Sequence, residues 1–494
     1  MEWNQQQLDI FEDAENGKGH TMVVARAGTG KTTTSIEAVR RVRGETVLMT
    51  AFNKTIATEL QRRLQGAADA KTLHALGLAS LRVLGDIKVD EDKGTRIASE
   101  VLGEKRRPAL ISAVRRGASM CKSRLVATDP DDLEGSLDQI ERVLDDHDID
   151  AAPWATAEEL SRFVLDALKA AKAETQTVDF DDMVWLPVVI PVRVRRPYDR
   201  VFVDECQDMS PVQLALAMAY TNARSRVCFV GDPAQAIYGW RGASVGRMGD
   251  MAKELSMKEL PLSVTYRCAK RIVAEAQKYV PDIQVHPRAQ EGIVETVDLD
   301  KLGKLVRPGD FVLSRSNAPM VKQCLQFIRD GVRATIRGRD LGERLKGIVR
   351  RLEQSAPKSD AMLALVEEWR DREVARRVAK DHPYQHIVDL AACIEVLATG
   401  TAQTVEVLKR IDEYFTDGSE NGYVILSSTH RAKGLEADRV FLLDDTYCKP
   451  RPLERGEDGQ AKKWGIPQEE KNLKYVAVTR AKNELYFARG NGDQ

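Results

Sequence analysis

The segment from Thr21 to Val39, TMVVARAGTGKTTTSIEAV, decides the fold class of this chain. A short apolar run over 22–25 comes before a glycine-containing loop, and a helix-forming segment starts at Lys31. A buried strand, a glycine-rich turn and a helix in this order are typical of the phosphate-binding loop of a parallel α/β domain. The frame Ala-x-x-x-x-Gly-Lys-Thr at 25–32 fits that loop, although alanine stands where its first glycine is usual.

The loop carries the residue types that bind a triphosphate. Gly28 and Gly30 let backbone N–H groups turn toward a phosphate, and the helix N-terminus adds positive potential. We expect the Lys31 ammonium to reach the β- and γ-phosphates and the Thr32 hydroxyl to bind Mg²⁺. The simpler interpretation is a glycine-rich turn that only begins a helix.

An acidic strand end supplies the second half of a nucleotide site. In YDRVFVDECQDMSP, residues 198–211, an apolar strand over 200–203 is followed directly by Asp204 and Glu205. Adjacent carboxylates at the end of a buried strand are costly unless they hold a metal or a water. We expect Asp204 to bind Mg²⁺ and Glu205 to orient and deprotonate the attacking water. The alternative is a strand that ends at an exposed acidic turn.

A third strand is predicted in SRVCFVGDPAQAIYGWRGA, residues 225–243, where 227–230 is apolar. Gln235 follows this strand at a position suited to contact the γ-phosphate or the water. Tyr238, Trp240 and Arg241 then lie in a predicted loop, where bulky aromatics have little structural reason to be. For Trp240 the alternative is an ordinary core aromatic.

Length and composition indicate a globular protein of several domains. A chain of 494 residues predicts two to four domains, and 43% hydrophobic with 30% charged residues is ordinary for a soluble protein. No run approaches the roughly 18 apolar residues of a membrane helix, and the polar N-terminus predicts no signal peptide. The seven cysteines form no C-x-x-C pair. The sequence therefore predicts a cytoplasmic protein in a reducing compartment.

The net charge of −1 gives no bulk signal for nucleic acid. Basic residues cluster locally in the stretches 105–107, 115–116, 193–196 and 333–351. Such clusters are more often solvated faces than binding sites. A basic groove remains compatible with this total, because a groove needs only local charge.

The order of motifs over nearly the whole chain resembles that of UvrD/Rep-like superfamily 1 DNA helicases. The matching segments are WNQQQLDIF (3–11), AGTGKT (27–32), LMTAFNKTIATEL (48–60), TLHALG (72–77), DECQD (204–208), GDPAQAIYGWRGA (231–243), LSVTYR (262–267), SSTHRAKGLEADRVFLL (427–443) and EEKNLKYVAVTRAK (469–482). Among subgroups, the last two segments look closest to the helicase core of F-box DNA helicases and phage-type relatives. Arg26, where small residues are usual, and Thr33, where many relatives have arginine, depart from the pattern.

The resemblance implies ATP and Mg²⁺ as cofactors. The implied nucleotide-binding residues are Gln7, Ala27, Gly28, Thr29, Gly30, Lys31, Thr32, Thr33, Tyr266 and Glu436, with Thr32 and Asp204 holding the metal. The implied catalytic residues are Lys31, Asp204, Glu205, Gln235, Arg267 and Arg480. In the family, Asn4 and Gln7 belong to an adenine-reading motif, Tyr266 stacks on adenine, and the two arginines neutralise phosphate charge when the domains close. The alternative for Arg480 is a solvated arginine at a helix end.

The resemblance also implies single-stranded and duplex-junction DNA as partners. The implied DNA-binding residues are Phe52, Asn53, Thr72, His74, Tyr238, Trp240, Arg241, Thr429 and His430. No membrane partner is expected, and no segment indicates a protein partner. The expected location is cytoplasmic, in association with DNA or the nucleoid.

The expected fold class is α/β, with two RecA-like parallel-sheet domains that each contain a mainly helical insertion. The predicted ranges are 1–78 and 177–262 for the first domain, 79–176 for its insertion, 263–338 and 421–494 for the second domain, and 339–420 for its short insertion. The second insertion is much shorter than in UvrD itself, and the chain ends soon after the last motif, so we expect no nuclease domain.

The leading functional hypothesis is an ATP-dependent DNA helicase and translocase that moves 3′→5′ on single-stranded DNA. One alternative is a DNA-stimulated ATPase that strips proteins or senses nucleic acid without productive unwinding, which the short second insertion keeps open. A passive single-strand-binding module is the other alternative, and the complete set of catalytic residue types argues against it. A fork-unwinding assay beside a DNA-stimulated ATPase assay separates the three.

Overall fold

The computed structural model describes residues 2–51, 53–126, 133–147, 149, 151, 154–190, 192, 196–237, 247–353, 359–378, 384–400, 403–416, 422–455 and 461–490. The chain divides into two compact units, one formed by Met1–Arg26 with Gly30–Ser263 and the other by Ala27–Thr29 with Val264–Gln494. The break after Ser263 falls one residue beyond the predicted domain end at 262.

The first unit is built on a six-stranded sheet whose neighbouring strands all pair in parallel. Its strands are β1 (Thr21–Ala25), β2 (Val47–Ala51), β3 (Asp69–Thr72), β6 (Arg200–Val203), β7 (Arg226–Gly231) and β8 (Lys258–Leu262), in the spatial order β3-β2-β6-β7-β1-β8. The predicted strands over 22–25, 200–203 and 227–230 therefore match β1, β6 and β7.

Both faces of this sheet are covered by helices. The helices outside the predicted insertion are α1 (Gln5–Asn16), α2 (Lys31–Arg41), α3 (Lys54–Leu64), α4 (Leu73–Leu81), α9 (Phe180–Val189), α10 (Pro211–Ala219) and α11 (Arg247–Glu254). Successive strand residues point to opposite faces. Val23 and Met49 accordingly pack with α1–α3 on one face, whereas Met22, Leu48 and Phe229 belong to the core on the other.

The predicted first insertion is helical. It contains α5 (Lys93–Leu102), α6 (Pro108–Arg124), α7 (Leu133–Asp146) and α8 (Ala157–Ala173), with a short parallel pair, β4 (Lys88–Val89) and β5 (Thr177–Val178), near its two ends. A capping box between Thr156 and Glu159 fixes the start of α8, because each side chain accepts a hydrogen bond from the other residue's backbone. Val114 and Val164 of the insertion share one core with Phe229 of the sheet, so these helices also cover one sheet face.

The second unit contains a seven-stranded sheet whose neighbouring strands also pair in parallel. Its strands are β11 (Ile293–Asp298), β12 (Phe311–Ser314), β13 (Ala334–Arg337), β14 (Phe415–Thr416), β15 (Val424–Ser428), β16 (Ala437–Leu443) and β19 (Ala481–Arg489), in the spatial order β11-β19-β16-β12-β15-β13-β14. Two smaller pairs are β9 (Val264–Thr265) with β10 (Gln284–Val285), and the antiparallel β17 (Arg451–Arg455) with β18 (Ala461–Gly465).

Helices flank this sheet as well, which confirms the predicted α/β class with two RecA-like sheets. They are α12 (Lys270–Ala276), α13 (Leu302–Leu305), α14 (Asn317–Arg329), α15 (Arg339–Glu353), α16 (Ser359–Val378), α17 (Gln385–Ala398), α18 (Thr404–Tyr414), α19 (Thr429–Ala432) and α20 (Gln468–Val478). Within the described residues, no helix is long and apolar enough to cross a membrane.

The described helices of the predicted second insertion, 339–420, pack against the main sheet of the second unit. Leu345, Ile394 and Val407 of its helices share one hydrophobic core with Ile336 and Leu426 of the sheet. Strand β14 falls inside the predicted range, yet it pairs with β13 as the edge strand of the main sheet. The helices α15, α17 and α18 thus complete the core of the second unit.

Candidate nucleotide site and nucleic-acid face

Three adjacent strands of the first unit bring the predicted nucleotide motifs to one sheet edge. Strands β6, β7 and β1 are neighbours, and all three run in the same direction. Asp204 follows β6, Asp232 follows β7, and the loop before Lys31 follows β1. Ligands of open α/β sheets bind outside the carboxyl ends of the strands, so this edge is where a nucleotide is expected.

The loop after β1 has the backbone geometry that its glycines predict. Gly28 and Gly30 have φ values of 72° and 78°, in the left-handed region that side-chain-bearing residues rarely adopt. Gly30 is the N-cap of α2, whose first helical residue is Lys31. The free N–H groups of the first helical turn can therefore bind an anion at this point.

Lys31 lies beside the carboxylates at the strand ends. Its Nζ is 3.3 Å from Glu205 Oε2, and the Glu205 side chain is 39% exposed. Burial lowers the pKa of Lys31, but the charges of Glu205, Asp232 and Asp204 outweigh burial and raise it overall. The ammonium is thus held charged at an edge that remains open to solvent.

Thr32 and Asp204 form an oxygen pair suited to a hard cation. The Thr32 hydroxyl donates to Asp204 Oδ2 at 2.8 Å. Burial, followed by the charge of Glu205, raises the pKa of Asp204 to about 6. A cation bound beside this carboxylate would favour its charged form. Hydroxyl and carboxylate oxygens are the ligands that Mg²⁺ prefers, so these two residues fit the predicted metal.

Glu205 is held in an unusual backbone conformation. Its φ and ψ are 54° and 40°, in the left-handed region, which is strained for a non-glycine residue. The Gln207 amide donates to Glu205 Oε2 at 2.6 Å and accepts the Asp232 N–H at 3.1 Å. Gln207 therefore ties the predicted base to the next strand end, which is a positioning role that the sequence interpretation did not include.

Asp232 is a second residue that sequence reasoning missed. It is fully buried and accepts hydrogen bonds from Gln235 Nε2 at 2.7 Å and Arg26 Nη1 at 3.1 Å. Its position directly after a predicted strand was the available signal. Arg26, which departs from the family pattern, is therefore paired with a buried carboxylate at the same sheet edge.

The residues of the predicted adenine motif are engaged in helix capping. Asn4 Oδ1 accepts the Gln7 N–H at 2.9 Å, and Gln7 Oε1 accepts the Asn4 N–H at 3.1 Å. Gln7 is buried and its Nε2 donates to Thr34 Oγ1 at 3.0 Å, which connects α1 to the helix that follows the phosphate loop. Thr33 accepts a hydrogen bond from Arg63 at 3.2 Å.

In the second unit, Arg267 and Glu436 form a direct ion pair. Arg267 Nε lies 2.7 Å from Glu436 Oε2, and Lys482 lies 2.7 Å from Glu436 Oε1. Burial raises the pKa of Glu436, but Lys482 and Arg267 lower it overall, so the carboxylate stays charged. The predicted adenine-stacking ring, Tyr266, is 44% exposed, and its centroid is 4.8 Å from that of His286.

Arg480 is buried, so its interpretation as a solvated helix-end arginine is wrong. It is 1% exposed and lies in the turn between α20 and β19. Its guanidinium donates to the Val476 and Leu435 carbonyls at 2.9 and 3.1 Å and to the Thr479 hydroxyl at 3.3 Å. These bonds fix the guanidinium beside Leu435, the residue that precedes Glu436.

The structure describes three of the DNA-binding residues predicted in the first unit. Two of them cap helices, and the third lies in the first turn of one of these helices. Asn53 Oδ1 accepts the Ile56 N–H at 2.9 Å, and Thr72 Oγ1 accepts the Ala75 N–H at 3.1 Å. His74 is half-buried, burial lowers its pKa, and its ring lies edge-on to Phe180 at 6.2 Å. The other predictions in this unit fall on Phe52, Tyr238, Trp240 and Arg241, which lie outside the described residues.

Thr429 and His430 lie in α19, the single helical turn directly after β15 in the second unit. Thr429 is fully buried, its hydroxyl is 2.5 Å from the Tyr447 hydroxyl, and it lies 3.4 Å from the Ser314 carbonyl. Thr429 therefore anchors the turn that carries His430, and a direct contact between Thr429 and DNA stays a prediction.

Helix α20 connects the two edges of the second sheet. Glu470, in its first turn, pairs with Arg315 at the carboxyl end of β12, at distances from 2.8 to 3.2 Å. Beyond its other end lies Arg480, whose carbonyl accepts the Ala437 N–H at the amino end of β16. The turn with His430 and the residues around Glu436 accordingly occupy opposite strand ends.

Two family models match this chain. The UvrD/REP helicase N-terminal domain matches residues 3–256, and the UvrD-like helicase C-terminal domain matches residues 365–491. The ATP-dependent DNA helicase UvrD2 of Mycobacterium tuberculosis is 24% identical over an alignment of 554 residues, which covers 95% of this chain and 76% of that protein.

Further relatives match with similar identity. The F-box DNA helicase protein 1 of Schizosaccharomyces pombe is 24% identical over 94% of this chain and 55% of its own length. The ATP-dependent DNA helicase PcrA of Bacillus subtilis is 22% identical over 54% of this chain and 38% of its own length. Because the N-terminal family model alone spans more than half of the 494 residues, this chain belongs to the UvrD/REP helicase family of ATP-hydrolysing enzymes.

Proposed function

We propose that this protein is an ATP-driven motor that moves 3′→5′ along single-stranded DNA and separates duplex DNA ahead of it. The observation that carries the proposal is the cluster at the carboxyl edge of the first sheet. There Lys31 lies 3.3 Å from Glu205, and Thr32 lies 2.8 Å from Asp204, directly after the anion-binding loop. This arrangement supplies charge for a triphosphate and a base for water.

In the proposed reaction, each residue of the cluster has a separate task. Lys31 binds the β- and γ-phosphates, and Glu205, oriented by Gln207, accepts the proton of the attacking water. Thr32 and Asp204 would hold Mg²⁺, which neutralises phosphate charge when bound. Arg267 and Arg480 are proposed to stabilise the charge that develops on the transferred phosphoryl group.

The proposed DNA contacts support travel but do not by themselves imply strand separation. A DNA-stimulated ATPase that strips proteins or senses nucleic acid would use the same nucleotide cluster. The short insertion over 339–420 favours keeping this second candidate, because its helices complete the core of the second unit instead of forming a separate body. Unwinding must therefore be measured separately from ATP hydrolysis.

The test is unwinding of duplexes with either a 3′ or a 5′ single-stranded tail, in the presence of ATP and Mg²⁺, beside ATPase assays with and without oligo-dT. We expect oligo-dT to stimulate hydrolysis and only the 3′-tailed duplex to separate. Preference for the 5′ tail would refute the polarity. DNA-stimulated hydrolysis without unwinding of either substrate would establish the second candidate.

Glu205→Gln is the matched inactive control. It removes the base but preserves the size of the side chain, so we expect nucleotide binding to persist while turnover falls by about 10²- to 10⁴-fold. A nucleotide titration and a steady-state ATPase assay measure the two quantities. Turnover within a few-fold of wild type would remove Glu205 from the proposed reaction.

A further inference from the structure

The antiparallel pair β17–β18 projects one large aromatic side chain into solvent. Trp464 in β18 is 65% exposed, which makes it the most exposed aromatic residue in the described part of the chain. It pairs in register with Pro452 of β17. An indole left in water forfeits the free energy that burial of its large apolar area would give, so a binding role is a better explanation than stability.

The sequence of the two strands is basic. Strand β17 reads RPLER and β18 reads AKKWG, so ten residues contain four cations and one anion. Two of the cations, Lys462 and Lys463, directly precede Trp464. An aromatic residue next to clustered cations is the composition that binds single-stranded nucleic acid, where bases stack and phosphates require positive charge.

Both ends of the pair are anchored beside the turn that carries His430. Before β17, the buried Tyr447 has its hydroxyl 2.5 Å from that of Thr429. After β18, Glu470 in the first turn of α20 is buried and pairs with Arg315 at 2.8 Å. These contacts fix the base of the pair at the carboxyl edge of the second sheet, where DNA contacts were predicted from the sequence.

We propose that the β17–β18 pair is a DNA-binding element in which the exposed Trp464 stacks on a base, within a segment whose sequence supplies four cations to attract phosphates. The inference rests on the proposed function, because it takes DNA as the partner and the turn with His430 as a neighbouring contact. It adds a contact surface that lies between the two C-terminal motif segments, 427–443 and 469–482, and belongs to neither.

The experiment measures DNA affinity without nucleotide, by fluorescence anisotropy of labelled oligo-dT and of a forked duplex, at several salt concentrations. We expect Trp464→Ala to weaken binding by about tenfold, the effect of one lost base stack, and Trp464→Phe to recover most of it. For the double variant Lys462→Ala/Lys463→Ala, we expect the slope of log affinity against log salt on oligo-dT to fall by about 1.4. Basal ATPase activity without DNA should not change in these variants.

Trp154→Ala is the matched control, because Trp154 is 52% exposed but lies in the insertion of the first unit. It should leave affinity unchanged. Affinity within twofold of wild type in Trp464→Ala, an equal loss in Trp154→Ala, or an unchanged salt slope in the double-lysine variant would each overturn the inference. Suppose that the wild-type protein binds DNA and hydrolyses ATP on it, and that the Trp464 and double-lysine variants bind DNA equally well. In that case only this inference fails. If wild-type protein binds no DNA, the proposed function fails with it.

Discussion

The first unit contains two groups of lysine and carboxylate side chains that are alike in composition and differ in how exposed their charged groups are. In the nucleotide cluster, Lys31 lies 3.3 Å from Glu205, and that carboxylate is 39% exposed. Where the helical insertion meets α9, Lys93 and Asp182 are both fully buried and 2.6 Å apart, and we call this group the insertion cluster. Lys122 lies 2.7 Å from the other Asp182 oxygen.

The insertion cluster is closed by additional hydrogen bonds. Lys93 Nζ also donates to the carbonyls of Glu174 at 2.7 Å and Ala171 at 3.3 Å. The cluster therefore joins α5, α6, α8 and the start of α9, and it leaves little capacity for a ligand. The nucleotide cluster keeps charged groups at a sheet edge beside an anion-binding helix start. The comparison indicates that solvent-accessible charge, as on the 39% exposed Glu205, distinguishes a binding site from a structural cluster whose charges are fully buried.

Lys31→Ala should show most clearly that the nucleotide cluster serves ATP hydrolysis, whereas the insertion cluster serves stability. We expect kcat for ATP hydrolysis to fall by about 10³-fold or more, because the loop loses its charge on the β- and γ-phosphates. The melting temperature should stay within about 2 °C of wild type, since the remaining Glu205 is partly solvated. Steady-state ATPase and thermal melting measure the two effects. Normal turnover would show that this loop is not the nucleotide site.

Arg480 is a second test of whether burial separates structural from binding charges. Its side chain is as buried as that of Lys93, yet Arg480 is predicted to act on phosphate. We expect Arg480→Ala to reduce kcat by about 10³-fold while nucleotide binding is largely retained, as for a missing arginine finger. Arg480→Lys should restore little, because an ammonium does not reproduce a planar guanidinium. The assays are oligo-dT-dependent ATPase and nucleotide titration.

A purely structural Arg480 predicts a different pattern. Loss of its bonds to the Val476 and Leu435 carbonyls would lower the melting temperature, and kcat per folded molecule would stay within a few-fold of wild type. That outcome would leave Arg267 as the only proposed arginine on the phosphates.

Much of the first cluster could be predicted from sequence because its residues occur in short, ordered segments. The strand over 200–203 matches the structure, and Gly30 of the predicted loop adopts the left-handed backbone that glycine permits. The buried ion network could not be predicted in this way. Lys93 and Asp182 are 89 positions apart, and nothing in the local pattern around either residue specifies its partner.

The sequence could not tell how the short second insertion packs. Its helical pattern was clear, but periodicity does not tell which core an apolar helix face joins. Ile394 and Val407 pack with Ile336 of the sheet, so the insertion closes an existing core. For Arg480, the sequence suggested the residue but not its burial, because local polarity cannot report the carbonyls that a tertiary contact brings to a guanidinium.

Asp182→Ala should affect stability instead of catalysis. It removes the carboxylate shared by Lys93 and Lys122, whereas Asp179, 3.6 Å from Lys122, remains. Loss of one partner of a buried ion pair costs about 3–5 kcal/mol. We expect the free energy of unfolding of the first unit, measured by urea titration with a probe in that unit, to fall by this amount.

The matched variant for this test is Lys93→Met/Lys122→Met/Asp182→Leu, which replaces three charges by apolar groups of similar size. It should recover most of the stability lost in Asp182→Ala, because both buried lysine charges are removed together with the carboxylate that they share. Asp179 also loses Lys122, but burial already raises the pKa of Asp179 and favours its neutral form. ATPase activity per folded molecule should stay within a few-fold of wild type in both variants. A specific loss of ATPase at full stability would mean that the insertion cluster has a catalytic role.

Asp179→Asn should have the smallest effect, although Asp179 is close to Asp182 and contacts the same lysine. Its Oδ1 caps α9 by accepting the Asp182 N–H at 2.7 Å, and asparagine caps helices about as well as aspartate. Burial raises the pKa of Asp179, and the nearby Asp182 adds to this against the opposing charge of Lys122. The folded protein thus disfavours the charged carboxylate, so we expect Asp179→Asn to increase the free energy of unfolding at pH 7 by less than about 1 kcal/mol.

The same substitution predicts a pH dependence. A carboxyl group whose pKa is raised in the folded state stabilises the fold at pH values below its unfolded pKa, and this stabilisation is lost as the pH rises through its folded pKa. The advantage of Asp179→Asn over wild type should therefore narrow as the pH falls from 7 toward 4, the region of an unperturbed aspartate. Melting temperatures of both proteins across that range measure the difference. A loss at pH 7 as large as that of Asp182→Ala would show that the two carboxylates share the stabilisation of Lys122 equally.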